Sequence, residues 1–208
     1  MPSMPLAHAA TVARCMLLAL IAATPLGARA QTSPALSTIV AFSGSQATSN
    51  AVRGPDGALY GTTSATSIVT GGLVYRAAAD GSSVRTLYQL TPNDGLNPVA
   101  GLLLGSDGRL YGSTTLGAAS QLTGAGTVFR VAPDGTGFSV IYRFANYSTV
   151  NAAGAPVNAD GANPEAELVE GADGSLYGVT RTGGPNGTGV VFKLAKDGTG
   201  FSVLHAFG

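Results

Sequence analysis

The sequence predicts an all-β chain: a β-propeller-like array of three four-stranded antiparallel blades plus one extra N-terminal strand, forming an incomplete ring. Three observations carry this expectation. A block of roughly 50 residues recurs three times in the same internal order. Every Asp is followed by Gly, and the runs between these dipeptides are short and rich in Val, Phe, Tyr and Ile. Such runs suit pleated, half-buried strands, and Asp-Gly between them is a strong hairpin signal.

The repeat has three parts. The first reads GPDGALYGTT from Gly54, GSDGRLYGST from Gly105 and GADGSLYGVT from Gly171. The second reads GLVYRAAADG from Gly72, GTVFRVAPDG from Gly126 and GVVFKLAKDG from Gly189. The third reads SVRTLYQL from Ser83, GFSVIYRF from Gly137 and GFSVLHAF from Gly200. Tyr60, Tyr111 and Tyr177 stand in register with spacings of 51 and 66, the longer one arising from an insertion over Ala145 to Asn163.

Each copy therefore supplies four strands, A to D. Strand A precedes the first Asp-Gly turn, B carries Leu-Tyr-Gly, C carries the Val-Phe-Arg-like run, and D ends at Leu90, Phe144 or Phe207. The Asp-Gly turns are expected as type I′, with φ > 0 at both central residues. The repeats cover about 47–90, 98–144 and 164–207. The extra strand is Leu36 to Phe42, which aligns with Phe201 to Phe207.

Residues 1–30 read as a secretory signal peptide. Arg14 precedes the apolar run Cys15 to Ala23, and Ala28-Arg29-Ala30 offers a cleavage site before Gln31. The run is too short to span a bilayer, which takes about 20 apolar residues. Residues 31–208 then form the repeat domain, with no transmembrane segment. The expected location is outside the cytoplasm: extracellular, at the cell surface or periplasmic.

Composition excludes several functions. Eleven basic residues balance eleven acidic ones, with no Lys/Arg-rich run to drive nucleic-acid binding. Beyond residue 30 there is no Cys and one His, His205, so neither a disulfide nor a Cys-based zinc site can form. No dense Asp-rich loop suggests calcium. No metal, cofactor or catalytic residue is expected.

These motifs resemble the choice-of-anchor tandem repeat GloVer family, most closely over Gly171 to Phe207 with LYGVT, GGPNGTGVVFKL and KDGTGFSVLHAF. The resemblance implies an exported or surface repeat protein, without catalytic residues to carry over. No C-terminal anchoring segment of the family's kind is expected beyond His205-Ala206-Phe207-Gly208.

Strand alternation divides the connections into two sets. A–B and C–D are tight turns, while B–C and D–A are long. The long loops should gather on one face, where binding residues commonly lie. That face carries Asp-Gly-x-Asn-Pro at Asp94–Pro98 and Asp160–Pro164. The candidate ligand-face residues are Asp94, Asn97, Asp160, Asn163, Arg181 and Asn186. A structural reading of the motif competes: Asp-Gly turns the chain, Asn caps it and Pro opens the next strand. The recurring Tyr60, Tyr111 and Tyr177 are expected between blades with their hydroxyls bonded at the edge. Arg76, Arg130 and Lys193 are expected as solvated positions snorkelling along the sheet. His205 replaces the tyrosines at 88 and 142 and reads as a strand residue.

The functional expectation is an exported, non-enzymatic repeat scaffold or binding module with unknown partners. One alternative is a carbohydrate-active enzyme using loop-face carboxylates, for which Glu165 and Glu167 would share one face of strand A. Another is a partial product of a longer repeat protein. Self-association through exposed blade edges is expected of an open stack.

Overall fold

A computed structural model of the chain describes residues 45–47, 49–65, 71–117 and 124–208. The Leu36–Phe42 strand and the signal segment lie outside the described residues. Within them the regular structure is all β, in fifteen short strands.

The first blade is built from β1 (Ser45–Ala47), β2 (Val52–Arg53), β3 (Leu59–Ala65), β4 (Leu73–Ala77) and β5 (Val84–Gln89). Strands β1 and β2 both pair with β3, so strand A of this blade comes in two pieces. The second blade holds β6 (Leu103–Leu104), β7 (Leu110–Thr114), β8 (Thr127–Val131) and β9 (Ser139–Arg143). The third holds β12 (Val169–Glu170), β13 (Leu176–Val179), β14 (Val190–Leu194) and β15 (Ser202–Ala206). Each is an antiparallel A–B–C–D sheet, and among the described residues no strand of one blade pairs with a strand of another. Isolated bridges Leu96↔Leu116 and Ala162↔Thr182 repeat the position of the β1 pairing in the later blades. A bulge falls at the same place in every C–D pair, at Val74/Tyr75, Val128/Phe129 and Val191/Phe192. Bulges add local twist, so each outer strand is turned in the same way.

The core lies between blades. One apolar cluster joins Ala58, Tyr60 and Val74 of the first blade to Leu102, Leu110 and Phe129 of the second. The other joins Tyr111 and Val128 of the second blade to Leu168, Leu176 and Phe192 of the third. Adjacent residues on a strand serve opposite interfaces: Val128 faces the third blade and Phe129 the first. This is the period-2 alternation of a strand buried on both faces. Aromatic rings mark both interfaces. Tyr88 stacks on Phe138 at 3.7 Å and 4°, and Tyr142 on Phe201 at 4.1 Å and 7°.

The Asp-Gly turns differ from the type I′ expectation. Positive φ occurs at Gly57, Gly108, Gly135, Gly174 and Gly198, whereas the only described non-Gly residues with positive φ are Asn97 and Asn163. In the A–B turn of the first blade the Gly57 amide donates to Gly54 O and the Gly54 amide to Ala58 O. That pattern is a type I turn closed by a glycine bulge. The Asp sits at negative φ, where its carboxylate accepts from the backbone amide two residues on: Asp56 from Ala58, Asp134 from Thr136 and Asp197 from Thr199.

The C–D turns also seat one blade on the next. A Cβ at Gly198 would meet the backbone of Ile141, and one at Gly135 the backbone of Leu87, each on strand D of the preceding blade. Gly174, in an A–B turn, has φ +76 and open space around it. Gly174→Ala should therefore cost only left-handed strain, about 1 kcal/mol. Gly198→Ala adds a backbone clash and should cost about 3 kcal/mol. Denaturant midpoints of the two variants check this; equal losses would remove the turn-on-strand contact from the account.

Candidate functional site

The long B–C and D–A connections emerge at the opposite ends of the sheets from the Asp-Gly hairpins. Parts of the first two B–C loops lie outside the described residues. The third-blade loops are described in full, and the insertion within Ala145–Asn163 folds into a hairpin of its own, β10 (Thr149–Val150) and β11 (Pro156–Val157).

Asn158 holds this hairpin in place. It is buried, and all four of its hydrogen-bonding positions are used. Its Oδ1 accepts from Gly161 N at 2.9 Å and Gly184 N at 2.7 Å, while its Nδ2 donates to Ala145 O at 2.7 Å and Gly161 O at 2.8 Å. One side chain thereby ties the insertion, the Asp-Gly-x-Asn-Pro segment and the B–C loop together. Sequence reasoning missed it, because a single Asn in a Gly- and Ala-rich insertion carries no motif. Around it Asn151 Nδ2 donates to Asn186 O, and Asn186 Nδ2 donates to Phe207 O.

The candidate ligand-face residues fall into two groups. The first is engaged inside the fold. Asp94 accepts from the Thr91 amide, the Thr91 hydroxyl and the Tyr88 hydroxyl. Asp160 accepts from the Tyr142 hydroxyl at 2.8 Å and the Ala145 amide at 3.0 Å. Each Asp therefore fixes the tyrosine that stacks on the next blade. Burial, reinforced by the neighbouring carboxylate, pushes the Tyr88 and Tyr142 phenols up, so they stay neutral donors. Asn97 and Asn163 adopt left-handed φ of 60° and 56° directly before proline, a conformation Asn tolerates well. Their amides donate to the preceding blade, at Gly71 O and Ala125 O. Their side chains meet at Thr115, Asn97 through the hydroxyl and Asn163 through the carbonyl.

The second group is presented outward. Arg181 is 65% exposed and lies 3.3 Å from Glu165. Asn186 and the hairpin residue Val150 are exposed too. Glu165 and Glu167 precede β12, so they do not share a face of a regular strand A.

At the opposite, tight-turn face the recurring polar residues are structural. Tyr60, Tyr111 and Tyr177 donate to Asp56, Asp107 and Asp173 of their own A–B turns at 2.9, 2.7 and 3.0 Å. Arg76 and Lys193 pair with the same aspartates at 2.8 and 2.7 Å, which holds both carboxyls below the usual range. These cations are thus paired at the turn, where the sequence suggested solvated positions. Arg130 reaches across to Lys196 O of the third blade. Lys196 pairs with Glu170 at 2.6 Å and brings its carboxyl down to about 2, with Ser106 of the second blade completing the bridge. His205 lies exposed on β15, edge-on to Phe207.

Among the described residues no group of three or more His, Cys, Asp or Glu could hold a metal ion, and no helix is long and apolar enough to cross a membrane. The arrangement offers a surface of fixed backbone with one exposed ion pair and apolar and amide groups beside it.

A family model described as the Gloeobacter/Verrucomicrobia repeat matches residues 28–208. No curated protein matches the chain. Similar solved structures include TolB from Acinetobacter baumannii, 14% identical, covering 82% of this chain and 35% of TolB with a TM-score of 0.50. A chain of the nidogen/laminin complex is 16% identical, covering 70% of this chain and 43% of its own, with a TM-score of 0.45. A gluconolactonase from Xanthomonas campestris is 19% identical, covering 78% and 48%, with a TM-score of 0.44. The chain spans less than half the length of each of these. At such identities the TolB likeness concerns fold alone, and it agrees with a propeller-like array of blades.

Asn158→Ala should orphan buried groups on three segments and cost about 3 kcal/mol. Asn186→Ala, at an exposed site, should cost under about 1 kcal/mol. Amide exchange at Gly161 and Gly184 should quicken in the first variant while Val190–Leu194 stays protected. Equal stability of the two variants would contradict the role given to Asn158.

Proposed function

We propose that this chain, which belongs to the Gloeobacter/Verrucomicrobia repeat family, is an exported, non-enzymatic repeat scaffold that binds through its long-loop face. Export rests on the apolar run and Ala-Arg-Ala site of residues 1–30 and on the character of the family. Residues 31–208 are then the working part, outside the cytoplasm.

The observation that carries the binding role is the platform around Asn158. A long insertion costs ordering entropy, and here that cost is met by a buried, fully bonded side chain. The result presents Arg181, Glu165, Val150 and Asn186 from a fixed backbone. A preorganised surface loses less entropy on binding than a loose loop. Asp94, Asn97, Asp160 and Asn163 belong to this face as its frame, and Arg181 and Asn186 as its contact groups. The engagement of both aspartates by tyrosine hydroxyls speaks for binding over carboxylate catalysis.

A glycan array combined with a reducing-sugar release assay tests this. The expected result is retention of one or more glycans without release, weakened at least fivefold by Arg181→Ala or Val150→Asp and unaffected by Thr199→Ala in a C–D turn. Sugar release abolished by Asp160→Asn in a folded protein would replace the scaffold reading with an enzyme. Binding lost in Thr199→Ala alone would move the site to the other face.

A further inference from the structure

The two faces of each blade do different jobs. A leading face carries an apolar residue at the start of strand D, Phe138 or Phe201. A trailing face carries the tyrosine that receives it, Tyr88 or Tyr142. The C–D turn of the following blade then rests its Gly on the backbone of Leu87 or Ile141.

The same positions recur at the two outer ends of the array, and there they are exposed. On the trailing face of the third blade His205 takes the place of Tyr142, and Leu204, 52% exposed, takes that of Ile141. Val169 on this face is 62% exposed, whereas Tyr111 and Val128 on the covered face of the second blade are 0% exposed. At the other end Val84 occupies the position of Phe138 and Phe201 and is 45% exposed. Gly81, in the turn before it, has a φ of +75°, left-handed like the +93° and +91° of its counterparts Gly135 and Gly198.

We propose that these ends bind each other in a second copy of the chain, the third blade of one copy receiving strand D of the first blade of the other. His205 would then meet Val84 as Tyr142 meets Phe201, and the Gly81 turn would rest on Leu204. The contact is heterologous, continuing an interface the chain already makes twice with itself. Heterologous contacts close into rings when the rotation permits. Two copies supply six blades, within the four to eight of closed propellers. The pairing also covers apolar surface that a lone array leaves in water.

Light scattering on the purified chain tests this. The expected mass is twice that of one processed copy, residues 31–208. Val84→Asp and Leu204→Asp lie at exposed positions, so each should melt as the parent monomer does while weakening association at least tenfold. Mixing the two variants should restore dimers in part, because one of the two interfaces is then free of both substitutions. A wild-type monomer at 100 µM would overturn the proposal and leave a covalently linked further repeat as the occupant. A Val84→Asp chain that stays dimeric would also overturn it, in favour of third blades meeting face to face.

Discussion

Everything in this structure depends on the contact between successive blades. A four-stranded sheet with apolar residues on both faces cannot shelter either one alone. In this chain the second blade buries Val128 against the third and Phe129 against the first, and each has 0% exposure. The aromatic pairs Tyr88–Phe138 and Tyr142–Phe201 fix how each blade lies on the next. The Asp of Asp-Gly-x-Asn-Pro takes its tyrosine's hydroxyl, and the Asn of that motif donates its amide to the preceding blade. A motif that looks like a ligand site on paper is thus the brace of the interblade contact.

The array was legible in the sequence because its signals are redundant. Three copies of one pattern, strand alternation and Asp-Gly punctuation all point the same way. The turn type was less legible: Asp-Gly alone does not distinguish type I′ from a type I turn with a glycine bulge. The structure selects the latter because Asp56, Asp134 and Asp197 cap the turns with their carboxylates. The hairpin Thr149–Val157 was invisible, since its two-residue strands are too short to show a period. Asn158 was invisible for a different reason. Its importance comes from three segments that meet only after folding. The pairing of Arg76 and Lys193 with turn aspartates likewise needs the register of B against C, which brings residues about 20 apart together.

The two ends of the sheets divide labour. The tight-turn end spends its charges on itself, in tyrosine–aspartate–cation clusters and in the Ser106–Glu170–Lys196 bridge. The long-loop end varies from copy to copy and holds the insertion. A repeat protein can change the rest of such loops without disturbing its blades, because the interface contacts lie on strand faces, at the opposite turns and in the Asp-Gly-x-Asn-Pro segments.

A double-mutant cycle at Tyr142 and Phe201, each changed to Leu, measures the interblade stack most directly. Global stability from denaturant unfolding should fall for each single change. The account predicts a coupling of about 1 kcal/mol between them, as for a stacked pair that acts beyond its buried area. Losses that add to within about 0.3 kcal/mol would mean that the rings only fill space and that the contact between blades does not rest on them.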